Sequence, residues 1–296
     1  MTAKDIFRGA ITALITPFHE DGSIDEQAYQ DFITWQINEG VHGLVTCGTT
    51  GESPTLDHKN HNRVVELGVE AAGGKVPVMA GAGSNCTDES IALAKHAQKA
   101  GADAILIATP YYNKPCQEGI YQHFKAINNA VDVPIYIYNI PGRSVVDIAD
   151  KTIARIATLE NVVGIKDSTG DLARCSSLRQ YVDDSFNQIS GEDGTAIGFN
   201  AQGGNGVITV TANVAPKLVA QAQEFSLNGD YKSALALHDK LTPLHQAMFC
   251  APNPTPAKFA LKLMNKCNDQ VRLPLVRINS DAQKQVEQAL IKLGLI

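Results

Sequence analysis

A lysine at the end of a short apolar segment is the clearest candidate for a reactive group in this sequence. Lys166 closes the run VVGIK at positions 162–166, and strand alternation predicts that Gly164 and Lys166 point into the fold. Val163 and Ile165 are predicted to point outward, under helices. A buried lysine is costly unless it is paired, neutral or covalently used. Because a desolvated, neutral amine attacks ketones, Lys166 is a candidate for Schiff-base chemistry. The alternative is a structural lysine paired with a carboxylate.

Two tyrosines and an arginine near the preceding apolar segment extend this chemistry. In the run VPIYIYNIP at 133–141, the same alternation turns Tyr136 and Tyr138 inward. Tyr138 ends the strand, where its phenol can relay a proton during imine formation, whereas Tyr136 is predicted to fill space. Arg143 follows in the loop, and its guanidinium suits bidentate recognition of a substrate carboxylate. The alternative for Arg143 is a surface ion pair.

A loop rich in glycine and hydroxyl groups supplies a candidate anion site. The sequence GTTGES at 48–53 places Thr49 and Thr50 between two glycines, so hydroxyls and loop N–H groups can form a small anion cradle. Cys47 precedes the loop without a histidine beside it, which favours a packing role. Gly191 and the glycine-rich segment 203–206 would let a small ligand approach the main chain.

Two histidines, His58 and His61, lie three residues apart on one face near the start of a predicted helix. This spacing is compatible with metal binding, but no obvious carboxylate or cysteine completes a site. The sequence therefore predicts no metal centre.

The elements that must position these residues alternate along the chain. Apolar runs of four to eight residues begin near positions 10, 42, 76, 102, 133, 162, 186 and 206, the pattern of strands buried on both faces. Helix-like segments such as Asp57–Ala72, Thr87–Ala100 and Gln117–Ala130 separate them. Eight such units predict a (β/α)8 TIM barrel. A doubly wound sheet is the alternative, but the first strand ends in TPF at 16–18, without a glycine loop.

The apolar runs stop near Gly229. The segments Tyr231–Phe249, Pro256–Asn265 and Ser280–Leu293 are predicted to be helical. We therefore expect two domains: residues 1–229 forming the barrel with the active site, and residues 230–296 forming a C-terminal helical bundle.

Composition restricts the class of protein. With 44% hydrophobic and 19% charged residues, the chain can bury a large core. A net charge of −6 without a Lys/Arg run gives no indication of nucleic-acid binding. No apolar stretch approaches a membrane span, and Pro17 ends the apolar run 9–18, which favours a strand over a signal peptide. Six scattered cysteines indicate reduced thiols in a cytoplasmic protein.

Three spaced motifs together carry a specific resemblance. The segments GTTGE at 48–52, YNIPxR at 138–143 and GIKD at 164–167 resemble the pyruvate-dependent class I aldolase family, which includes dihydrodipicolinate synthases and N-acetylneuraminate lyases. The resemblance continues through TANVA at 211–215, NPxP at 253–256 and RLP at 272–274. Arg143, and Tyr111-Tyr112 after Thr109-Pro110, resemble the synthase branch rather than the lyases.

The resemblance implies a role for each matching residue. Lys166 would form the imine with pyruvate, and Arg143 would hold the carboxylate of L-aspartate 4-semialdehyde. The proton relay would consist of Thr49, Tyr138 and Tyr112, with Tyr112 donated across a dimer interface. Thr50 and its loop would bind the pyruvate carboxylate, helped by main-chain contacts from Gly191 and Ile208. The family needs no metal or organic cofactor, and its active synthases are homotetramers.

The resemblance also implies feedback inhibition by L-lysine at a dimer-interface pocket. Glu89 would pair with the ammonium group of lysine, while Asn85 and Tyr111 would hold its carboxylate. The positions that match this pocket are Ser53, His58, His61, Asn85, Glu89 and Tyr111. This role explains the two histidines better than a metal does. The chain departs from the family pattern at Pro54, where some inhibited members have Ala, and at Ala251, which replaces an acidic residue.

Three functional hypotheses follow. The first is the synthase reaction between pyruvate and L-aspartate 4-semialdehyde, as part of diaminopimelate and L-lysine biosynthesis. The second is another pyruvate-dependent aldolase, acting on N-acetylneuraminate or a 2-keto-3-deoxy sugar acid. The third is a non-enzymatic lysine sensor, which the intact set of candidate catalytic residues disfavours.

Overall fold

A closed barrel of eight parallel strands forms the centre of the protein. In the computed structural model, which describes residues 6–296, each strand pairs with the next and β8 pairs with β1. The strands are β1 Gly9–Ala13, β2 Gly43–Thr46, β3 Val78–Gly81, β4 Ala104–Ala108, β5 Ile135–Asn139, β6 Val162–Asp167, β7 Asn187–Ser190 and β8 Gly206–Thr209. The predicted barrel is confirmed, and every strand begins within two residues of its predicted start.

Helices surround the barrel and follow the strands. They are α1 Glu26–Asn38, α2 His58–Ala72, α3 Thr87–Ala100, α4 Gln117–Asn128, α5 Pro141–Ser144, α6 Asp150–Ile156, α7 Leu172–Leu178, α8 Ala196–Ala201, α9 Pro216–Leu227, α10 Tyr231–Ala247, α11 Thr255–Leu263 and α12 Ser280–Leu293. Local capping explains the bounds of α2. The Asp57 carboxylate accepts a hydrogen bond from the Asn60 N–H, and Gly73 ends the helix with φ 54°.

The barrel interior is filled by side chains from alternate strand positions, as in other TIM barrels. Phe7, Tyr136 and Tyr138 belong to this inner cluster. The Tyr136 ring packs edge-on against Phe7 at a centroid distance of 5.6 Å, and its hydroxyl accepts a hydrogen bond from Asn187 Nδ2 at 3.0 Å. Tyr136 therefore has the space-filling role predicted for it.

A β-bulge in β6 corrects one expectation. Ile135 pairs with Val162 and Tyr136 pairs with Gly164, so Val163 is an extra residue in the ladder. Val163 packs against the inner cluster, and its predicted outward orientation is therefore wrong. Ile165 does lie in the outer cluster beneath the helices. The bulge ends before Gly164, so the predicted alternation holds where it positions Lys166.

Glycine is required at position 164 because the strands approach each other closely there. A Cβ on Gly164 would lie 2.5 Å from the Asn187 carbonyl oxygen and 2.6 Å from Tyr136 Cε1. The bulky Tyr136 ring can fill the barrel interior only because the neighbouring strand carries no side chain at this point.

The C-terminal helices α10, α11 and α12 pack on the barrel through a shared apolar cluster. Leu244, Leu261 and Val286 belong to the same cluster as barrel residues such as Ile105 and Ile165. The predicted helices are confirmed with small changes at their ends, and the division at 229/230 stays a prediction. The six cysteines are free thiols. Among residues 6–296, no helix combines the length and apolar character that crossing a membrane requires.

Candidate active site

A cavity of about 380 Å³ opens at the C-terminal ends of the strands, the end of a TIM barrel that carries active sites. Six of the predicted site residues line it together: Thr49, Thr50, Tyr138, Arg143, Lys166 and Gly191. They come from the loops or ends of β2, β5, β6 and β7. Barrel closure thus brings together side chains that lie more than a hundred residues apart in the sequence.

Lys166 lies against Tyr138 at the base of the cavity. The two residues are paired in the β5–β6 ladder, and Lys166 Nζ lies 4.2 Å from the centroid of the Tyr138 ring. Only 7% of the Lys166 surface is exposed. Within residues 6–296 no carboxylate forms a salt bridge with its amine, so the structural ion pair considered as the alternative is not formed there. Lys166 is available for chemistry with a ligand in the cavity.

Gly191 leaves the space that the lysine side chain occupies. Its N–H donates a hydrogen bond to the Asp167 carbonyl oxygen at 2.7 Å, which holds the end of β7 against β6. A Cβ at this position would lie 1.8 Å from Ser168 Oγ and 2.9 Å from Lys166 Cε. A side chain here would force Ser168, and with it the neighbouring Lys166 side chain, to shift.

We expect Gly191→Ala to lower turnover about 100-fold, because a displacement near 1 Å of a reacting group has effects of that size. Borohydride trapping of pyruvate on the purified variant, together with steady-state turnover, measures the effect. Gly194→Ala is the matched control, since a Cβ at Gly194 meets nothing within 4 Å. Equal trapping by both variants would contradict the packing argument.

The loop of β2 forms one wall of the cavity. Thr49–Gly51 is a single 3-10 turn, closed by the Gly51 N–H donating to the Gly48 carbonyl oxygen at 3.0 Å. Thr50 Oγ1 accepts a hydrogen bond from Asn253 Nδ2 at 3.0 Å. Burial raises the pKa of the Cys47 thiol, so this residue stays protonated, in agreement with the packing role predicted for it.

Two buried residues behind this loop were not identified from the sequence. Lys258 Nζ lies 2.5 Å from Glu52 Oε1, and both side chains are fully buried. Burial lowers the pKa of Lys258, and the nearby Glu52 carboxylate opposes that change. Lys258 also donates to the Gln270 carbonyl oxygen at 2.8 Å. The pair joins the active-site loop to the C-terminal helices. The sequence did not indicate it, because a lysine in a predicted amphipathic helix is expected to face solvent.

Three further cavity residues were also missed. Phe249, Asn253 and Glu192 line the cavity beside Lys166. The NPxP segment at 253–256 carries part of the family resemblance, and this motif could have identified Asn253 as a site residue. Glu192 directly follows Gly191, and no motif or periodicity in the sequence marks it as a site residue.

Two predicted site residues lie outside this cavity's lining. Tyr112 is 89% exposed and has φ 71°, a conformation unusual for a residue with a side chain. Ile208 is buried in the barrel interior and pairs with Ile11 of β1. The cavity wall on that side is formed by Val210. The roles predicted for Tyr112 and Ile208 stay predictions.

A second cavity, of about 340 Å³, adjoins the first. Five of the six residues predicted to bind lysine line it, namely Ser53, His58, His61, Glu89 and Tyr111, and so does Pro54. Thr49, Tyr138 and Arg143 line both cavities. The sixth predicted residue, Asn85, donates from Nδ2 to the Tyr111 carbonyl oxygen at 3.3 Å.

Glu89 is the acidic group of this second cavity. Its carboxylate accepts a hydrogen bond from Ser84 Oγ and lies 2.7 Å from His58 Nε2. These two contacts, that of Ser84 first, lower the pKa of Glu89. Burial lowers the pKa of His61 to about 4, so His61 is neutral at pH 7. Among residues 6–296, no cluster of three or more His, Cys, Asp or Glu side chains is placed to hold a metal ion.

The closed barrel, with a buried lysine and tyrosine at the C-terminal ends of its strands, places the chain in the class of (β/α)8-barrel lyases. More specifically, the chain belongs to the Dihydrodipicolinate synthetase family, whose sequence profile matches residues 6–293. It is 56% identical over 291 residues to the 4-hydroxy-tetrahydrodipicolinate synthase of Parvibaculum lavamentivorans, and the aligned region covers 98% of this chain and 100% of the relative.

Solved structures of the family superpose closely on the chain. One is a chloride-inhibited dihydrodipicolinate synthase from Acinetobacter baumannii in complex with pyruvate, with TM-score 0.96 and 40% identity, covering 98% of this chain and 99% of the other. Another is the enzyme from Cyanidioschyzon merolae with lysine bound, with TM-score 0.95 and 35% identity, covering 98% and 99%.

Proposed function

We propose that this chain condenses pyruvate with L-aspartate 4-semialdehyde to give 4-hydroxy-tetrahydrodipicolinate, in the pathway to diaminopimelate and L-lysine. The observation that carries the proposal is the cavity in which Lys166, Tyr138 and Arg143 meet. The family relationship supplies the substrates, and the related structure from Acinetobacter baumannii holds pyruvate. The arrangement provides an amine for the ketone and a guanidinium for the second substrate's carboxylate.

In the proposed reaction the Lys166 amine attacks the keto carbon of pyruvate, and the carbonyl oxygen leaves as water. Loss of a methyl proton from the imine gives an enamine, which attacks the aldehyde carbon of the semialdehyde. The amino group of the adduct then displaces Lys166 as the ring closes. Thr50 and its loop bind the pyruvate carboxylate, supported by main-chain groups of Gly191 and Ile208. No metal or organic cofactor takes part.

Protons are moved by a relay of Thr49, Tyr138 and Tyr112 of the partner subunit. Thr49 and Tyr138 line the same cavity, whereas the exposed Tyr112 side chain is free to enter a neighbouring molecule's site. We also propose that the chain forms a homotetramer and that it acts in the cytoplasm. In each subunit, the barrel of residues 1–229 carries the active site and residues 230–296 form the helical domain.

A substrate comparison tests the proposal against the other aldolases. Turnover is measured with pyruvate and L-aspartate 4-semialdehyde, and separately with N-acetylneuraminate and 2-keto-3-deoxy sugar acids. We expect a strong preference for the semialdehyde, because Arg143 provides a binding group for its carboxylate. A preference for a sugar acid would replace the proposal with the second hypothesis, and failure to bind pyruvate would favour the lysine sensor.

We further propose that L-lysine inhibits the enzyme from the second cavity. The cavity shares Thr49, Tyr138 and Arg143 with the active site, and a ligand that moves these side chains would change the active site. Glu89 pairs with the ammonium group of lysine, and Asn85 and Tyr111 hold its carboxylate. Ser53, His58 and His61 also line the cavity. The lysine-bound relative from Cyanidioschyzon merolae supports this assignment.

We expect Glu89→Gln to raise the lysine concentration for half-inhibition at least about tenfold, because a hydrogen bond to a charged group contributes about 1.5–3 kcal/mol. Inhibition curves with L-lysine, each normalised to the same variant without lysine, measure the shift. Glu66→Gln is a matched control, since Glu66 is equally exposed and also pairs with a histidine, His96, at 3.3 Å. Unchanged inhibition in Glu89→Gln would show that L-lysine does not bind in this cavity as proposed.

A further inference from the structure

Of the residues between 6 and 296 that line the active-site cavity, a single one is acidic, and the reaction described above does not use it. Glu192 lines the cavity together with two cationic side chains, Lys166 and Arg143. In the part of the chain that the structure describes, neither the Glu192 carboxylate nor the Arg143 guanidinium is hydrogen-bonded or ion-paired to a protein group. The cavity therefore offers one negative and one positive group to a ligand.

The backbone of Glu192 is fixed on both sides. Its N–H donates to Ser190 Oγ at 3.1 Å, and its carbonyl oxygen accepts from the same hydroxyl at 3.2 Å. The next residue, Asp193, accepts hydrogen bonds from the Val210 and Thr211 N–H groups at 3.0 and 3.1 Å. This anchoring fixes the backbone from which the Glu192 side chain reaches the cavity, and a rigid backbone position helps to preorganise a binding group.

The barrel order places Glu192 and Arg143 on opposite sides of the reactive lysine. Arg143 follows β5, Lys166 is the penultimate residue of β6 and Glu192 follows β7. Neighbouring strands lie about 5 Å apart, so the two flanking strand ends are separated by about 10 Å. All three side chains line the same cavity, so a ligand bound at Lys166 has a cationic group on one side and an acidic group on the other.

The Glu192 carboxylate is the group in this cavity that can pair with a cationic part of a ligand. Burial raises the pKa of its carboxyl, and Asp193 adds to that effect, while Lys166 and Arg143 oppose it. An ammonium group placed beside the carboxylate would stabilise its charged form. The second substrate in the proposed reaction has such a group, because an amino-acid semialdehyde carries an α-ammonium next to its α-carboxylate.

We propose that Glu192 binds the α-ammonium group of the aldehyde substrate and, with Arg143 on the carboxylate, selects an amino-acid semialdehyde over aldehydes that lack an amino group. This inference rests on the proposed function and adds the residue that determines its substrate specificity. Sites built to bind a polar group discriminate strongly against analogues without it, because the binding group is then left without its partner.

Steady-state kinetics of Glu192→Gln, with Glu192→Asp and Glu160→Gln beside it, test the proposal. For Glu192→Gln we expect the KM for L-aspartate 4-semialdehyde to rise about 10–100-fold. The inhibition constant of succinate semialdehyde, the same aldehyde acid without the amino group, should stay within about twofold. Glu192→Asp should retain part of the discrimination. Glu160, which precedes β6 at the other end of the barrel, controls for the loss of one negative charge.

Two results would overturn the proposal. One is an equal change, or no change, for the semialdehyde and its deaminated analogue. The other is a loss of borohydride trapping with pyruvate alone, which would place Glu192 in imine formation instead. A turnover assay of the wild-type enzyme distinguishes failure of this inference from failure of the proposed function. If the wild-type enzyme does not turn over the semialdehyde, the proposed reaction is wrong, whatever the role of Glu192.

Discussion

Replacing Lys166 by alanine is expected to abolish covalent capture of pyruvate and to lower turnover by more than about a thousandfold, the scale seen when a nucleophile is removed. The physical reason is that, among the residues that the structure describes, Lys166 carries the only amine that lines the active-site cavity. Its side chain is largely buried beside the Tyr138 ring and faces the cavity, and a positioned amine is the group that attacks a ketone to form an imine. Treatment with pyruvate and borohydride, followed by peptide mass analysis, locates the adduct.

Two variants make this result interpretable. Lys166→Arg keeps a positive charge in the cavity but presents a guanidinium that does not lose its proton, so it should fail as Lys166→Ala does. Lys284→Ala removes a lysine whose side chain is 72% exposed and should behave as wild type. If Lys166→Ala retained full trapping and turnover, the Schiff-base mechanism proposed for this chain would be wrong.

The second large effect is expected at the buried pair of Lys258 and Glu52. Lys258→Met leaves the Glu52 carboxylate in the interior with one backbone donor, the Arg272 N–H at 2.9 Å, and without a countercharge. Breaking a buried pair in this way costs about 3–5 kcal/mol of folding free energy. Denaturant unfolding at a fixed protein concentration measures the loss, because assembly makes stability depend on concentration.

The double variant Glu52→Gln/Lys258→Met should recover much of this stability, since it removes the uncompensated charge as well as its partner. Lys262→Met on the same helix is the control. Lys262 is half exposed, and its partner Asp269 keeps a second contact with Arg277 at 3.0 Å, so the loss should not exceed about 1 kcal/mol. A single Lys258→Met variant as stable as wild type would show that the pair does not stabilise the fold.

Activity should follow stability in these variants because Glu52 lies between two functional turns. It separates the 3-10 turn Thr49–Gly51 from the turn Ser53–Thr55, which line the catalytic and the lysine cavity respectively. Glu52 itself has φ 58°, a conformation that costs energy for a residue other than glycine. We infer that the buried pair holds the loop in this conformation.

Much of the fold could be predicted because local signals specify it. Buried parallel strands produce continuous apolar runs, and the eight starts were found within two residues. Helix α3 matches its predicted bounds, 87–100, and Gly101 ends it with φ 89° as a glycine after a helix commonly does. The inward direction of Lys166 followed from alternation alone, and the error at Val163 arose because a bulge depends on pairing with the neighbouring strand.

The sequence by itself determined the order of strands and helices, the chemical types at the strand ends and, through its motifs, the family. Only the tertiary structure decided that Lys258 is buried against Glu52, that Asn253 reaches Thr50, and that Glu192 shares a cavity with Lys166. It also decided that the catalytic and lysine cavities have common walls. The physical reason is that these contacts join segments up to 206 residues apart, and nothing in local periodicity encodes which distant side chains meet when the barrel closes.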